Sequence, residues 1–179
     1  MKPFIGISRI WYGAPWKDGS DAPSPSSIKK SIDEMWEIKN SHDGTWKYEQ
    51  DDPETTDYVN ELTGRVYYQD KVKEGASKIS FTMGVFSFLD KSKLQGGEEV
   101  KVSNTSVGWK SKVDNDVIHK GIIAQTKTGN FIVFTNAAIV AKADTQEKNV
   151  GLGVVATSME CDNENIAAEY WFDGSSIQL

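Results

Sequence analysis

One cysteine, two histidines and five prolines are all that 179 residues contain of those three types. A lone Cys161 excludes an intramolecular disulfide, and with it a stapled secreted scaffold. His42 and His119 are the only imidazoles, so few side chains titrate near neutral pH for acid–base work. No stretch approaches the roughly 20 apolar residues of a membrane span. The start, MKPFIGISRIWYG, has one early Lys and a broken apolar run too short for a signal peptide. A soluble protein made in the cytoplasm is therefore expected. A basic excess is also missing: 20 basic against 26 acidic side chains leave a charge of −6, which argues against a binder held by phosphate neutralisation. No internal repeat of fixed period is visible, which argues against a solenoid or propeller.

What is present points to β structure. Six Trp suit half-buried pleated faces, and 15 Gly suit tight turns. FIGISRIWYG reads as a first strand, followed by a loop holding Pro15, Pro23 and Pro25. In SIDEMWEIKN, Ile32, Met35 and Trp36 fit a helix face. The turn chemistry of SHDG and the alternation in TWKYEQ behind it favour a hairpin instead. RVYYQDKV and KISFTMGVF read as strands, the second with Ile79, Phe81, Met83 and Val85 on one side and a bulge near Gly84. Asp90 is a candidate N-cap for a short helix, KSKLQ, stopped by Gly96-Gly97. EEVKVSN is a further strand. Residues 117–126 and 131–135 form a hairpin around Thr128-Gly129-Asn130, extended through Ala137 to Lys142. NVGLGVVATSMEC alternates, and AAEYWFDG closes the chain as a short aromatic strand. Eight or nine strands and one short helix amount to a mainly β, antiparallel sandwich or barrel-like domain over residues 1–179.

Motifs that carry chemistry fail on context. GLGVVA (151–156) matches G-x-G-x-x-A, but the 23 residues after Ala156 read as strand and loop, with no helix to take a pyrophosphate. DNEN (162–165) opens like a calcium loop but lacks the Gly at the loop's sixth position. No nucleophile elbow, HExxH or phosphate-binding loop is present. No enzyme, cofactor or metal site is expected. Trp11, Trp16, Trp46 and Trp109 could stack a sugar, which keeps a carbohydrate- or ligand-binding β-sandwich module open as the alternative. Charge is uneven: residues 31–70 hold 11 acidic and 3 basic side chains, and residues 71–110 hold 7 basic and 4 acidic ones. Such halves can steer self-association.

Four segments in order carry a resemblance: TWKYEQDDPETTDYVNELTGRVYYQD, GASKISFTMGVFSFLDKSKLQGG, KGIIAQTKTGNFIVFTNAAIVAKADTQEKNVGLGVVATSM and AAEYWFDG. From Trp46 to Gly174 the chain resembles the tail tube proteins (major tail proteins) of long-tailed bacteriophages and prophages. Residues 1–40, the first strand and the Pro-rich loop, lie outside the likeness. The resemblance implies two packed β-sheets with a flanking helix, six subunits closing a ring, and rings stacking into a hollow tube. It also implies a long loop or arm reaching toward neighbouring rings, for which the acidic segment Asp51 to Gly64 is the counterpart. The expected self-association residues are Asp51, Asp52, Glu54, Asp57 and Tyr58 in that arm, and Phe131 and Val133 in the hairpin. The partners so implied are further copies of the chain and other tail proteins, with DNA only as passing cargo and no membrane. The place would be the virion tail, after synthesis in the bacterial host cytoplasm.

Overall fold

Twelve strands and two α-helices are found in the computed structural model, which describes residues 1–17, 19–113 and 116–177. In chain order they are β1 (Arg9–Gly13), α1 (Ile28–Asp33), β2 (Trp36–Ile38), β3 (Lys47–Gln50), β4 (Glu54–Asn60), β5 (Arg65–Lys73) and β6 (Ser77–Met83). There follow α2 (Phe88–Gln95), β7 (Glu98–Val102), β8 (Thr105–Lys110), β9 (Ile118–Gln125), β10 (Phe131–Gln146), β11 (Asn149–Ser158) and β12 (Glu169–Phe172). Nearly half the chain is strand and a tenth is helix, and every strand pairing is antiparallel. The mainly β, barrel-like class read from the sequence is the one observed.

One eight-stranded sheet runs β2-β1-β9-β10-β11-β6-β3, with β12 also paired to β10. Its inner face holds the main core: Ile10, Tyr12, Ile79, Phe81, Ile122, Phe134, Leu152 and Val154 are among its buried members. These are alternate residues of their strands, as a pleated surface requires. The strand β10 is 16 residues long and changes neighbours along one edge. Residues Phe131–Phe134 pair with β12, and Ala137–Gln146 pair with β11. A bulge between Phe134 and Ala137 marks the change. By adding a residue it resets the alternation, so that Ile132 and Phe134 before it, and Ala137 and Ile139 after it, all face the main core. The bulge is tied down by Thr135, whose Oγ1 donates to the Ala167 carbonyl at 2.8 Å, and by Asn136, whose Nδ2 donates to the Glu160 carbonyl at 2.7 Å.

A second core covers the outer face of β1, β9 and the first part of β10. It contains Trp11, Ile28, Ile123, Phe131, Val133 and Ile177, with Ile32, Met35 and Phe172 packed against it. This explains the apolar runs IIA and FIVF. Strands covered on both faces need apolar residues at successive positions.

The cover includes α1, the helix that sequence reading passed over. Its apolar positions Ile28 and Ile32 are spaced i, i+4 on one face, and Met35, just past its end, packs on the same core. It starts from Ser24 and Ser27, whose hydroxyls and backbone amides bond each other.

The expected hairpin between SIDEMWEIKN and TWKYEQ does not form. β2 pairs with β1 and β3 with β6, at opposite ends of the sheet order. The segment between them crosses to β6, where the His42 amide donates to the Thr82 carbonyl and Thr45 Oγ1 accepts from the Thr82 amide. This crossing runs from one end of the sheet order to the other.

Three smaller expectations also change. The N-cap of α2 is Ser87, with Asp90 completing a capping box from the third helical position. Gly84 lies beyond the end of β6 rather than at a bulge inside it. β8 is a strand that the sequence reading left out.

Candidate functional site

The segment Asp51 to Gly64, read as a loop or arm, is the first half of a β-ribbon. β4 and β5 pair only with each other, as a two-stranded sheet separate from the main one. Every residue of β5, and every residue of β4 but Asn60, is exposed. At the tip, the Asn60 side chain accepts from the Leu62 amide at 2.9 Å. The Gly64 amide donates to the Asn60 carbonyl, with Gly64 at φ +68°, the left-handed conformation in which glycine is at ease. At the base the two legs pinch together. A Cβ on Gly75 would sit 1.6 Å from the Asp51 carbonyl oxygen, so this position accepts only glycine.

The ribbon does not have one wet face and one dry one. Cross-strand pairing sets Val59 opposite Val66 on one face, with Asp57 opposite Gln69 beside them. Tyr58 and Tyr68 pair on the other face with ring centroids 5.7 Å apart. Leu62 at the tip is 96% exposed and Tyr67 is 69% exposed. An isolated two-stranded hairpin is marginal in water. Exposed apolar side chains thus lie on both faces of the ribbon.

Five of the expected self-association residues therefore lie on or at the foot of this ribbon, sorted differently from the sequence reading. Asp51 is at the base, where it accepts from Lys78 Nζ at 2.6 Å. Asp52 and Glu54 are exposed beside it. Asp57 is midway, accepting from Gln69 Nε2 at 2.7 Å, and Tyr58 follows. Three of these acids, Asp51, Asp52 and Glu54, stand at the base, while Asp57 and Glu61 lie farther out among Tyr58, Leu62, Val66, Tyr67 and Tyr68. The apolar members Leu62, Val66, Tyr67 and Tyr68 were missed, although their closeness to a turn at ELTG was visible.

The other two expected residues are corrected. Phe131 is 1% exposed and Val133 0%, both in the second core beneath α1 and β12. Around Phe131 and Val133, β10 is paired on both sides, with β9 and β12, so no free edge is offered there; the one-sided stretches are residues 118–120 of β9 and 140–146 of β10.

A second ribbon, β7–β8, lies next to α2. Trp109 Nε1 donates to the Gly96 carbonyl at 2.8 Å, and the Trp109 ring lies against Gly97. Two lysines of α2 rest on aromatic faces: Lys93 Nζ is 3.1 Å from the Trp36 centroid, and Lys91 Nζ is 4.5 Å from that of Trp109.

Residues considered for chemistry are scattered. Cys161 donates its thiol to the Trp16 carbonyl, while His119 Nδ1 lies 3.0 Å from Asn136 Oδ1. GLGVVA lies inside β11, where Gly151 and Gly153 let Thr82 and Asp144 approach closely. Among the described residues no group of three His, Cys, Asp or Glu comes together. Of the four tryptophans read as exposed, Trp11 is buried and Trp16, Trp46 and Trp109 are half-buried, so they form no open stacking platform. A cleft of about 410 Å³ lies where β1 and the segment after β2 splay apart, lined by Arg9, Lys39, Ser41, His42, Trp46 and Lys127 among others. The Ser41 hydroxyl is buried there with no hydrogen-bond partner among the described residues. Among the described residues no helix is long and apolar enough to cross a membrane.

No protein-family model matches the chain, and no curated protein sequence matches it.

Proposed function

We propose that this chain is a structural subunit that assembles with copies of itself, of the kind found in phage and prophage tail tubes. The observation that carries the proposal is the β4–β5 ribbon, standing clear of the barrel with exposed tyrosines, valines and a leucine. A free-standing monomer has no use for such an element, whereas a subunit gains buried area from it. Edge geometry supports the same reading. The ends of the main sheet are β2 and β3, only 3 and 4 residues long, which limits sheet-to-sheet pairing there. The ribbon keeps long free edges, suited to docking by strand addition or by its side chains.

In this reading six copies close a ring, rings stack, and the ribbon joins one ring to the next. Head-to-tail contacts give closed rings or open stacks according to whether their rotation closes. DNA would be passing cargo, and other tail proteins would meet the ends of the tube. The deciding experiment is negative-stain electron microscopy of the purified protein over a concentration series. Rings or tubes with a central hole are expected. Monomers at every concentration would count against self-assembly as the function.

A second reading, a small-ligand module, draws on the cleft holding the unpartnered Ser41 hydroxyl. It expects a change in Trp fluorescence on titration with a panel of glycans, which the tube reading does not.

A further inference from the structure

The apolar ribbon of one copy needs a receiving surface on the next, and we infer that this surface is the face formed by α2 and Trp36. The inference rests on the reading that copies of this chain assemble, and it names where they meet.

Three observations select that face. First, it offers exposed apolar surface of matching kind: Trp36 on β2 and Leu89 on the first turn of α2 are both exposed. Second, it carries positive charge with no carboxylate in contact. Lys91 and Lys93 sit over aromatic rings, and neither forms a salt bridge among the described residues. The acids whose fields reach Lys93, Asp90 and Glu99, are each shared with other groups. Asp90 accepts from Tyr12 and Ser87, and Glu99 is bridged to Lys101. The outer part of the ribbon carries Asp57, Glu61 and Asp70 against the single cation Arg65, an acidic balance among its apolar groups. Aromatic and aliphatic anchors with opposite charge on the two sides give complementarity in both contact and field.

Third, topology makes the contact intermolecular and repeating. The ribbon springs from the Ser77 end of β6, whereas α2 follows the Met83 end. That strand is about 20 Å long at the usual rise per residue. Within one copy α2 packs on β7, β8, β9 and β10. Complementary surfaces off opposite ends of one strand make a head-to-tail joint, each copy giving its ribbon to one neighbour and its α2 face to the other. Such a joint propagates from copy to copy, into a ring or a stack, and does not end at a two-fold dimer.

The test is a charge-swap series on the full chain, with assembly followed by sedimentation and electron microscopy against concentration. K91E/K93E sets acid against acid, and D57K/E61K sets base against base. Each is expected to raise the concentration for half-assembly by about tenfold or more, as like charges across an interface are costly. The quadruple variant restores opposite charges and is expected to return to within about threefold of the wild type. Circular dichroism and melting identify any variant that fails to fold. K91Q/K93Q and D57N/E61N, which remove charge without reversing it, then serve in its place, each with a smaller loss of about threefold. Wild-type assembly with folded reversal variants that assemble equally well would overturn the docking face and leave the assembly reading standing. A folded quadruple variant that stays unassembled would do the same. A wild type that never assembles would overturn both.

Discussion

The Tyr12 hydroxyl donates to Asp90 Oδ1 at 2.7 Å, joining the first strand to the capping box of α2. The other oxygen of Asp90 accepts from the Ser87 hydroxyl and amide. One carboxylate thus both starts the helix and fastens it to the barrel, while Leu94 at the far end of α2 enters the main core. The face proposed to receive a neighbour owes its placement to this bond.

Tyr12→Phe keeps the ring in the core and removes only the donor. A hydrogen bond to an ionised group is worth about 1.5 kcal/mol at the low end. Melting temperature should fall by roughly 3–6 °C for a chain of this size. Burial first, and the Asp90 bond second, raise the Tyr12 phenol well above the ordinary value of 10.0. A proton held more tightly in the folded state stabilises it below that ordinary value, and this contribution is lost as pH rises past it. Absorbance titration should show Tyr12 staying un-ionised above pH 10 until the protein unfolds, together with Tyr48, whose phenol burial also raises. Full ionisation of all six tyrosines in the folded protein would contradict this.

Glu37 controls the acid side. It accepts from Arg9 Nε at 2.7 Å and is bridged to Lys39. The Arg9 bond first, and the Lys39 bond next, lower its carboxyl from 4.5 to about 2. A depressed folded value means stability that is present above 4.5 and lost as pH falls toward 2. In Glu37→Gln the fall of melting temperature across that window should be shallower than in the wild type. Parallel curves would show that the cluster contributes nothing.

Much of this architecture was legible in the sequence, and the failures share a cause. Strands β6 and β11 have one face in the main core, so their alternation gave them away. Around Trp11, Phe131 and Val133 there was no alternation to read, because a second core lies on the other side of the sheet. Its cover, α1, begins just after the Ser- and Pro-rich loop, in a stretch whose helix-like spacing lost out to a hairpin reading. With no cover in view, Phe131 and Val133 looked like interface residues. The pairing of β2 and β3 failed for a different reason. Strands of three and four residues specify a partner only through what they pack on, and that information is not local. In the ribbon the acids stood out by composition, but only the paired register shows which stand at the base and which lie among the apolar groups farther out.

Asn130 is another residue whose weight appears only in three dimensions. In sequence it is the last member of a Thr-Gly-Asn turn. In the structure it is buried, its Nδ2 donates to the Lys2 carbonyl at 2.7 Å, and its Oδ1 accepts from the Gly174 amide at 3.0 Å. It therefore holds both ends of the chain against the β9–β10 turn. Asn130→Ala removes both of these part-buried bonds, at a cost of about 1 kcal/mol each. Limited proteolysis should then release residues near either terminus before the barrel is cut. Wild-type digestion kinetics would show that the terminal segments are held by other contacts.

The ribbon tip separates assembly from stability. Leu62 touches no core, so Leu62→Asp should change the unfolding free energy of the monomer by no more than about 0.5 kcal/mol. The same change places a charge at the most exposed apolar point of the ribbon, where an interface would have to desolvate it. Assembly should therefore fail at concentrations where the wild type assembles, with an unaltered melting curve. Tyr67→Ser should act in the same direction by removing an aromatic anchor. Salt discriminates between driving forces. If apolar contacts at the tip dominate, raising ionic strength to about 1 M, where the Debye length is near 3 Å, weakens assembly only modestly. If the charges Asp57 and Glu61 dominate, the same salt should dissolve the assemblies. Light scattering of the wild type in both conditions, beside Leu62→Asp in low salt, tells these apart. Assembly of Leu62→Asp at wild-type concentrations would show that the tip lies outside the contact.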